Sequence, residues 1–459
     1  MWRPAAATAS YRFACSMLGK EVPEPEARAW MEVAWRAMEQ PPGDEFPLEA
    51  AIEKVARVYA TYPEGRSLGS AAVVSAGNAK DPPAGTRLVQ MAEASYEFIQ
   101  STEGQPYAVP LQGPYVAQAL RGSRSVRARL AAAYYDAVGK TPHSGALAEA
   151  LAVLEGRALG APSRTIALRL AAHEASTVLD LGDDTGRVVV VRPGSWELVE
   201  RSPVLFRRSV LTSPIPDPVR GRPLDAMRGL LNIEAEAWSL LVGYMVAAWV
   251  PDIPRPVLWF TGEQGVGKTS AIRMIASLLD PSPGLTRTAP RDIQEWVVVA
   301  THSHVIPVDN VSAIPGWLSD AICRTVTGDA LIRRQLYTDD DLVVNAILRV
   351  VLLNAIGVGS LRGDLGDRLV PIPLERIPDD QRRLEREIQV EWDALRPGLV
   401  GALLDVLAAV LAKLPEVELG AMPRMADFAR VLAAVDAVRG TKSLELYLAG
   451  SIRTASRTS

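Results

Sequence analysis

Eight consecutive residues carry the densest chemistry in this chain: Gly262, Glu263, Gln264, Gly265, Val266, Gly267, Lys268 and Thr269. Glycines at this spacing let a loop turn its backbone N–H groups inward, and a lysine followed by a hydroxyl adds a cation and a metal ligand. Together they make a cradle for a polyphosphate, a Walker A motif or P-loop. Lys268 would reach the β- and γ-phosphates of ATP, the Thr269 hydroxyl would ligate Mg2+, and Ser270 belongs to the same cradle. The competing reading is an ordinary glycine turn, and the flanks argue against it. PVLWF at 256–260 is an apolar β-type run, and SAIRMIASLL after the loop reads as a helix whose positive dipole end would face the anion.

Phosphoryl transfer needs a second group to organise the metal. HVIPVD at 304–309 is an apolar run ending in Asp309. A strand beside the P-loop strand would deliver that carboxylate to Mg2+. Asn310 follows, at a place where many ATPases carry a second acid that polarises the attacking water. An amide can orient water but cannot take its proton, so hydrolysis is expected to be slow or assisted by another acid. RVVLLN at 349–354 reads as a third strand ending in Asn354, a residue able to sense the γ-phosphate and position water. Arg362 and Arg368 lie in LRGDLGDRLV. An arginine there could reach a neighbouring subunit's γ-phosphate and stabilise transition-state charge. Its plainer reading is a local pair with Asp364 or Asp367.

Elements around these residues must position them. The chain has 459 residues, enough for about three domains and a substantial core. Lys and Arg number 49 against 53 Asp and Glu, so there is no global basic field, and nucleic-acid binding must come from a local patch. The only cysteines are Cys15 and Cys323. That excludes a disulfide scaffold or a cysteine-rich zinc module and suits a reducing cytoplasm. The most apolar stretch, AWSLLVGYMVAAWV at 237–250, is short of the ~20 residues needed to span a bilayer and reads as a buried helix.

We divide the chain into an N-terminal helical region (1–85, closing on the linker AKDPPAG), a small α+β domain (86–210), a proline-rich linker (211–224), an ATPase core (225–378), and a C-terminal helical region and tail (379–459). Residues 86–160 read as mainly helical. They include Arg121, Arg124, Arg127 and Arg129, either a solvated face or a phosphate-contacting patch. Residues 164–208 read as a small antiparallel sheet. Asp180, Asp183 and Asp184 fall at one of its turns and are expected to satisfy backbone groups rather than hold a metal. Pro214, Pro216, Pro218 and Pro223 mark the clearest boundary. A long helical stretch is expected over 225–250, another over 379–413 opening with the charged, solvated run DDQRRLERE, and disorder over the last ten residues. His302 and His304 read as two residues pointing the same way at a strand start, with nothing nearby to complete a metal site. Trp259 and Trp296 read as core residues.

The order of these motifs over 262–368 resembles the superfamily 3 helicases, a branch of the AAA+ ATPases found in phages, viruses and mobile elements. SDAICRTVTGDALIRRQLYTDDD at 319–341 looks like that superfamily's connecting motif, with Thr327-Gly328-Asp329 as its turn, one glycine short of the usual pattern, and Arg333, Arg334 and Tyr337 following. SHVIPVDNVSAIPGWLSDAICR, RQLYTDDD and DLGDRLVPIPL are similar to phage and prophage ATP-binding proteins related to primase-helicases. The likeness is strong over about 225–410 and gives nothing over 1–80. It implies an α/β AAA+ core with a parallel central sheet and a homo-oligomeric, usually hexameric, ring using ATP and Mg2+. Lys268, Thr269, Asp309 and Asn354 would act within one subunit and Arg368 across to the next. The connecting motif would form a hairpin in which Arg333 and Arg334 grip the backbone of single-stranded or fork DNA, with Tyr337 packing it; a solvated strand face is the plainer reading for the two arginines. Replication proteins are possible further partners, and no membrane is expected. The leading expectation is an ATP-driven DNA helicase or translocase replicating a phage or mobile element. A slow ATP-binding switch or loader on DNA is the alternative, and a small-molecule kinase with the same P-loop is a third.

Overall fold

The computed structural model describes residues 22–37, 47–61, 82–122, 124–311, 313–334, 342–355 and 363–458. Arg362 and Tyr337 lie outside them. The chain divides into two compact units, Met1–Ala94 with Ala131–His143, and Ser95–Leu130 with Ser144–Ser459.

In the first unit, helices α1 (Glu24–Ala37) and α2 (Leu48–Thr61) pack together through Ala27, Met31, Ala51 and Val55, all buried. The Tyr59 hydroxyl donates to Val22 O at 2.6 Å, and Glu24 and Glu32 pair with arginines one turn later. Helix α3 (Ala84–Ser95) starts inside the segment expected to be a linker.

The second unit opens with strands where mainly helix was expected. Strands β1 (Tyr96–Ser101), β2 (Pro106–Pro110) and β3 (Val116–Ala119) form an antiparallel meander within 86–160. The missed signal is the turn between β1 and β2. Gly104 takes φ 77 and donates its N–H to Ser101 O at 2.9 Å, a conformation glycine adopts without steric cost. Helix α4 (Val126–Val138) begins here and continues from Ala131 as part of the first unit, and α5 (Ser144–Leu159) returns to the second. Short strands β4 (Ser163–Arg164) and β9 (Phe206–Arg207) add in parallel at the two edges, giving the order β4-β1-β2-β3-β9. Strands β5 (Leu170–His173), β6 (Ser176–Asp180), β7 (Val188–Arg192) and β8 (Ser195–Val199) form the expected antiparallel sheet. At its β6–β7 turn Asp183 Oδ1 accepts the N–H groups of Thr185, Gly186 and Arg187, the backbone service expected of it.

The proline-rich segment carries no regular element until a 3-10 helix at Leu224–Leu230. The expected single helix over 225–250 is therefore broken. Ile233 bridges to Leu374 instead, and α6 begins only at Ala235 and runs to Ala248. Helix α6 is buried nearly all round, as its uniform apolarity demands. Next come β10 (Val257–Thr261), α7 (Lys268–Leu279), α8 (Ile293–His302), β11 (Val305–Val311), α9 (Gly316–Thr327), β12 (Ala330–Arg334), β13 (Leu342–Ala346), β14 (Val350–Ala355), the single turn α10 (Gly363–Gly366) and β15 (Leu369–Pro373). Strands β11-β14-β10-β15 form a fully parallel sheet. Their near-continuous apolar sequences suit a sheet covered on both faces.

Helix α11 (Glu385–Lys413) is exposed and charged at its start and buried beyond Pro397. Residues Glu385–Glu416 are long and apolar enough to cross a membrane by length and composition, but 56% of the apolar window is buried inside the protein. Helices α12 (Ala426–Arg439) and α13 (Ser443–Thr458) close the fold. The tail expected to be disordered is thus helical through Thr458. Asp436 captures the N–H groups of Ser443 and Leu444, which starts α13, and Tyr447 is buried beside Phe428.

Candidate functional site

The loop 262–267 joins β10 to α7, and its glycines adopt backbone shapes closed to other residues. Gly262, Gly265 and Gly267 have φ of 139°, 84° and 87°. A Cβ on Gly262 would lie 2.9 Å from Leu374 O, so even the space is reserved. Gly267 caps α7, leaving that helix's first N–H groups aimed into the loop. Lys268 is buried, and its Nζ donates to Gly262 O at 2.8 Å and Glu263 O at 2.6 Å. Burial lowers its pKa below the usual lysine value, and nearby Asp309 opposes that shift. The ammonium is thus held over the loop by two of the loop's own carbonyls.

Strand β11, expected beside the loop strand β10, is instead separated from it by β14. The crossover order places Asn354 between the other two, and this brings the three residues together. Thr269 Oγ1 donates to Asp309 Oδ1 at 3.2 Å. Asn354 Nδ2 donates to the same oxygen and lies 3.5 Å from Thr269 Oγ1. Asn354 Oδ1 is buried with no partner among the described residues, an orphaned acceptor at the site. Strand register shifts between Val308 and Val311, and Asn310 sits at φ 56 within that irregularity. Asparagine is one of the few side-chain-bearing residues that tolerate this left-handed shape.

A cavity of about 850 Å³ opens from Gly265, Thr269 and Ser270. Its far wall is the start of α11, including Glu385, Gln389, Trp392 and Arg396. The charged run expected to be only a solvated face therefore also borders the loop. Trp392 is fixed there by its Nε1–H, which donates to Ser277 Oγ on α7 at 3.0 Å.

Arg368 lies outside this convergence. Its guanidinium pairs with Asp364 and donates to Asp364 O at 2.9 Å, and Arg424 bridges Asp364 and Asp367. Within one chain, the local pair is what the structure holds. Arg333 and Arg334 occupy β12, in register with Val343 and Leu342 of β13, so the connecting segment is a hairpin. Thr327-Gly328-Asp329 is the turn leading into it: Gly328, at φ 83, caps α9 and donates to Arg324 O. Among the four arginines at 121–129, Arg121 pairs with Glu155 and the other three are exposed. His302 ends α8, whereas His304 precedes β11 and is buried with Nε2 3.1 Å from Ala248 O, so the two histidines do not share a strand. Trp296 is fully buried, but Trp259 only partly.

Sequence reasoning passed over a buried ion pair behind the site. Arg169 Nε donates to Asp280 Oδ1 at 2.8 Å, and both residues are buried. The available signal was an arginine inside the apolar run TIALRLA.

Residues 224–453 match the family described as the actinomycete integrative conjugative element replication protein, and the chain belongs to that family. It is accordingly a replication protein of a mobile element. No curated protein matches it. Two solved structures illustrate its similarity at low identity. The apo C-terminal region of NrS-1 is 14% identical, with 77% of this chain and 74% of that one covered and a TM-score of 0.41. A structure titled as the active helicase SCCmec type IV Cch is 12% identical, with 79% and 74% covered and a TM-score of 0.40.

Proposed function

We propose that this replication protein is an ATP-dependent DNA helicase or translocase of superfamily 3 type, with an AAA+ core acting as a cytoplasmic homo-oligomer, in a hexameric ring. The observation that carries the reading is the meeting of Thr269, Asp309 and Asn354 beside the glycine loop and Lys268. Oxygen ligands from a hydroxyl and a carboxylate suit a hard cation such as Mg2+. The orphaned Asn354 Oδ1 and the carbonyl-tethered Lys268 also fit a ligand-binding site. Bound Mg2+ would neutralise charge between the β- and γ-phosphates.

The chain's own residues divide the remaining work. Loop N–H groups and the α7 terminus bind phosphate oxygens, and Lys268 swings from its carbonyl partners to the γ-phosphate. Asp309 and Thr269 hold the metal, and Asn354, with Asn310, orients water. Arg368 exchanges Asp364 for the neighbouring subunit's nucleotide. Arg333 and Arg334 contact single-stranded or fork DNA.

Steady-state ATP hydrolysis with and without single-stranded DNA, in wild type and Lys268→Ala, tests this. We expect a DNA-stimulated rate that falls at least ~100-fold in the variant, as for loss of a principal electrostatic contact. Turnover retained in Lys268→Ala would remove the loop from the mechanism. A second reading, a slow ATP switch or loader on DNA, is favoured by Asn310, which cannot act as a base. It predicts ATP binding with negligible turnover and no strand displacement.

A further inference from the structure

Helix α7 and strand β11 run in opposite directions past each other, and side-chain bonds join them at both ends. At one end Thr269 meets Asp309. At the other, Asp280 directly follows α7, and its Oδ2 accepts the N–H groups of His304 and Val305 at 2.9 and 3.0 Å, where β11 begins. Eleven helical residues rise about 16 Å and four strand residues about 13 Å, so the two spans nearly match and a shift at the far end is transmitted to the near one. The other Asp280 oxygen takes Arg169 Nε, from the residue directly before β5 of the antiparallel β5–β8 sheet. Arg169 is itself held by Asp180 O at 3.0 Å and Ser213 O at 2.9 Å, and a Cβ on Gly182 would strike its Nη1 at 2.5 Å. A carboxylate with three donors cannot drift without leaving a buried charge unpaired.

We infer that Asp280 is a positioning residue that sets the Thr269–Asp309 metal site from behind, and that Arg169 makes the β5–β8 sheet part of that setting. The inference rests on the nucleotide reading of the site. It gives residues 169–199 a role in nucleotide chemistry without any contact to nucleotide, and offers a route by which events on that sheet reach the ATP site.

The test is the affinity of full-length protein for a fluorescent non-hydrolysable ATP analogue, with and without Mg2+. Wild type is expected to bind, and to bind more tightly with Mg2+. Asp280→Asn keeps an acceptor oxygen but abandons Arg169. Its Mg2+-free affinity should stay within about twofold while the gain from Mg2+ falls about tenfold, the scale on which groups behind metal ligands act. Arg169→Lys, remote from the nucleotide, should lose the Mg2+ gain in the same direction, and this second variant decides the matter if Asp280→Asn does not fold. A folded variant with lower melting temperature but an unchanged Mg2+ gain would reduce the pair to a structural contact and overturn the inference. Failure of wild type to bind the analogue would instead sink the nucleotide reading, and the inference with it.

Discussion

Asn310 shows how much one residue can decide. It occupies a left-handed backbone position directly after the carboxylate proposed to hold the metal. Asn310→Val should therefore lower stability by roughly 1–3 kcal/mol, because a β-branched residue is strained there, and thermal melting would show it. Aspartate tolerates the same backbone and adds a base. Asn310→Asp should leave ATP affinity within about twofold and raise turnover about tenfold or more, less than full general-base catalysis can supply. An unchanged rate would mean that the base already lies elsewhere. His304 provides a pH test. Burial pushes its pKa down to about 4, with Asp280 pulling the other way. The folded state thus favours neutral imidazole, while the unfolded chain protonates near pH 6.5. Stability present above pH 6.5 should be lost as pH falls toward 4, by roughly 3 kcal/mol, and the loss should level off below that. Melting curves of His304→Gln should be flatter across this window than those of wild type.

At the scale of elements, the strand–loop–helix unit was legible because glycine spacing, an apolar run and a helical period all agree. The β12–β13 hairpin was legible only through family likeness. Its strands are short, and Thr327-Gly328-Asp329, expected as the connecting motif's turn, precedes β12 and serves as a helix cap. Arg333→Ala with Arg334→Ala should weaken single-strand binding and reduce the slope of log affinity against log salt by about 1–2, because each lost phosphate contact releases fewer counterions. Salt-titrated anisotropy would measure it, and an unchanged slope would move the DNA contact elsewhere, the exposed arginines at 124–129 being the first alternative. Elements were misread where a local pattern was ambiguous. Residues 96–119 lacked a strong period, and only the Gly104 turn separates hairpin from helix. The last ten residues looked too polar to order, yet they continue a helix that Asp436, seven residues before Ser443 and outside the tail itself, starts.

Across the whole molecule, the proposed assembly places Arg368 opposite a neighbour's nucleotide, whereas a single chain binds it to Asp364. Arg368→Ala should bind ATP with near-normal affinity and hydrolyse it at least ~100-fold more slowly, the scale of arginine fingers. Mixing it with Lys268→Ala should restore part of the activity, because mixed rings would contain some sites with both an intact loop and an intact arginine. No recovery on mixing would argue that Arg368 acts only within its own chain.

Local chemistry determined the glycine loop, Lys268, Thr269 and the strand-end residues Asp309 and Asn354 as candidates, because each depends on residue type and on spacing within one short segment. The tertiary structure decided their arrangement. Sheet order set Asn354 between the loop strand and the acidic strand, and that order is fixed by crossovers spanning scores of residues, which no local pattern encodes. It alone also joined Asp280 to Arg169, two residues 111 positions apart, whose pairing has meaning only once both are buried in the same place.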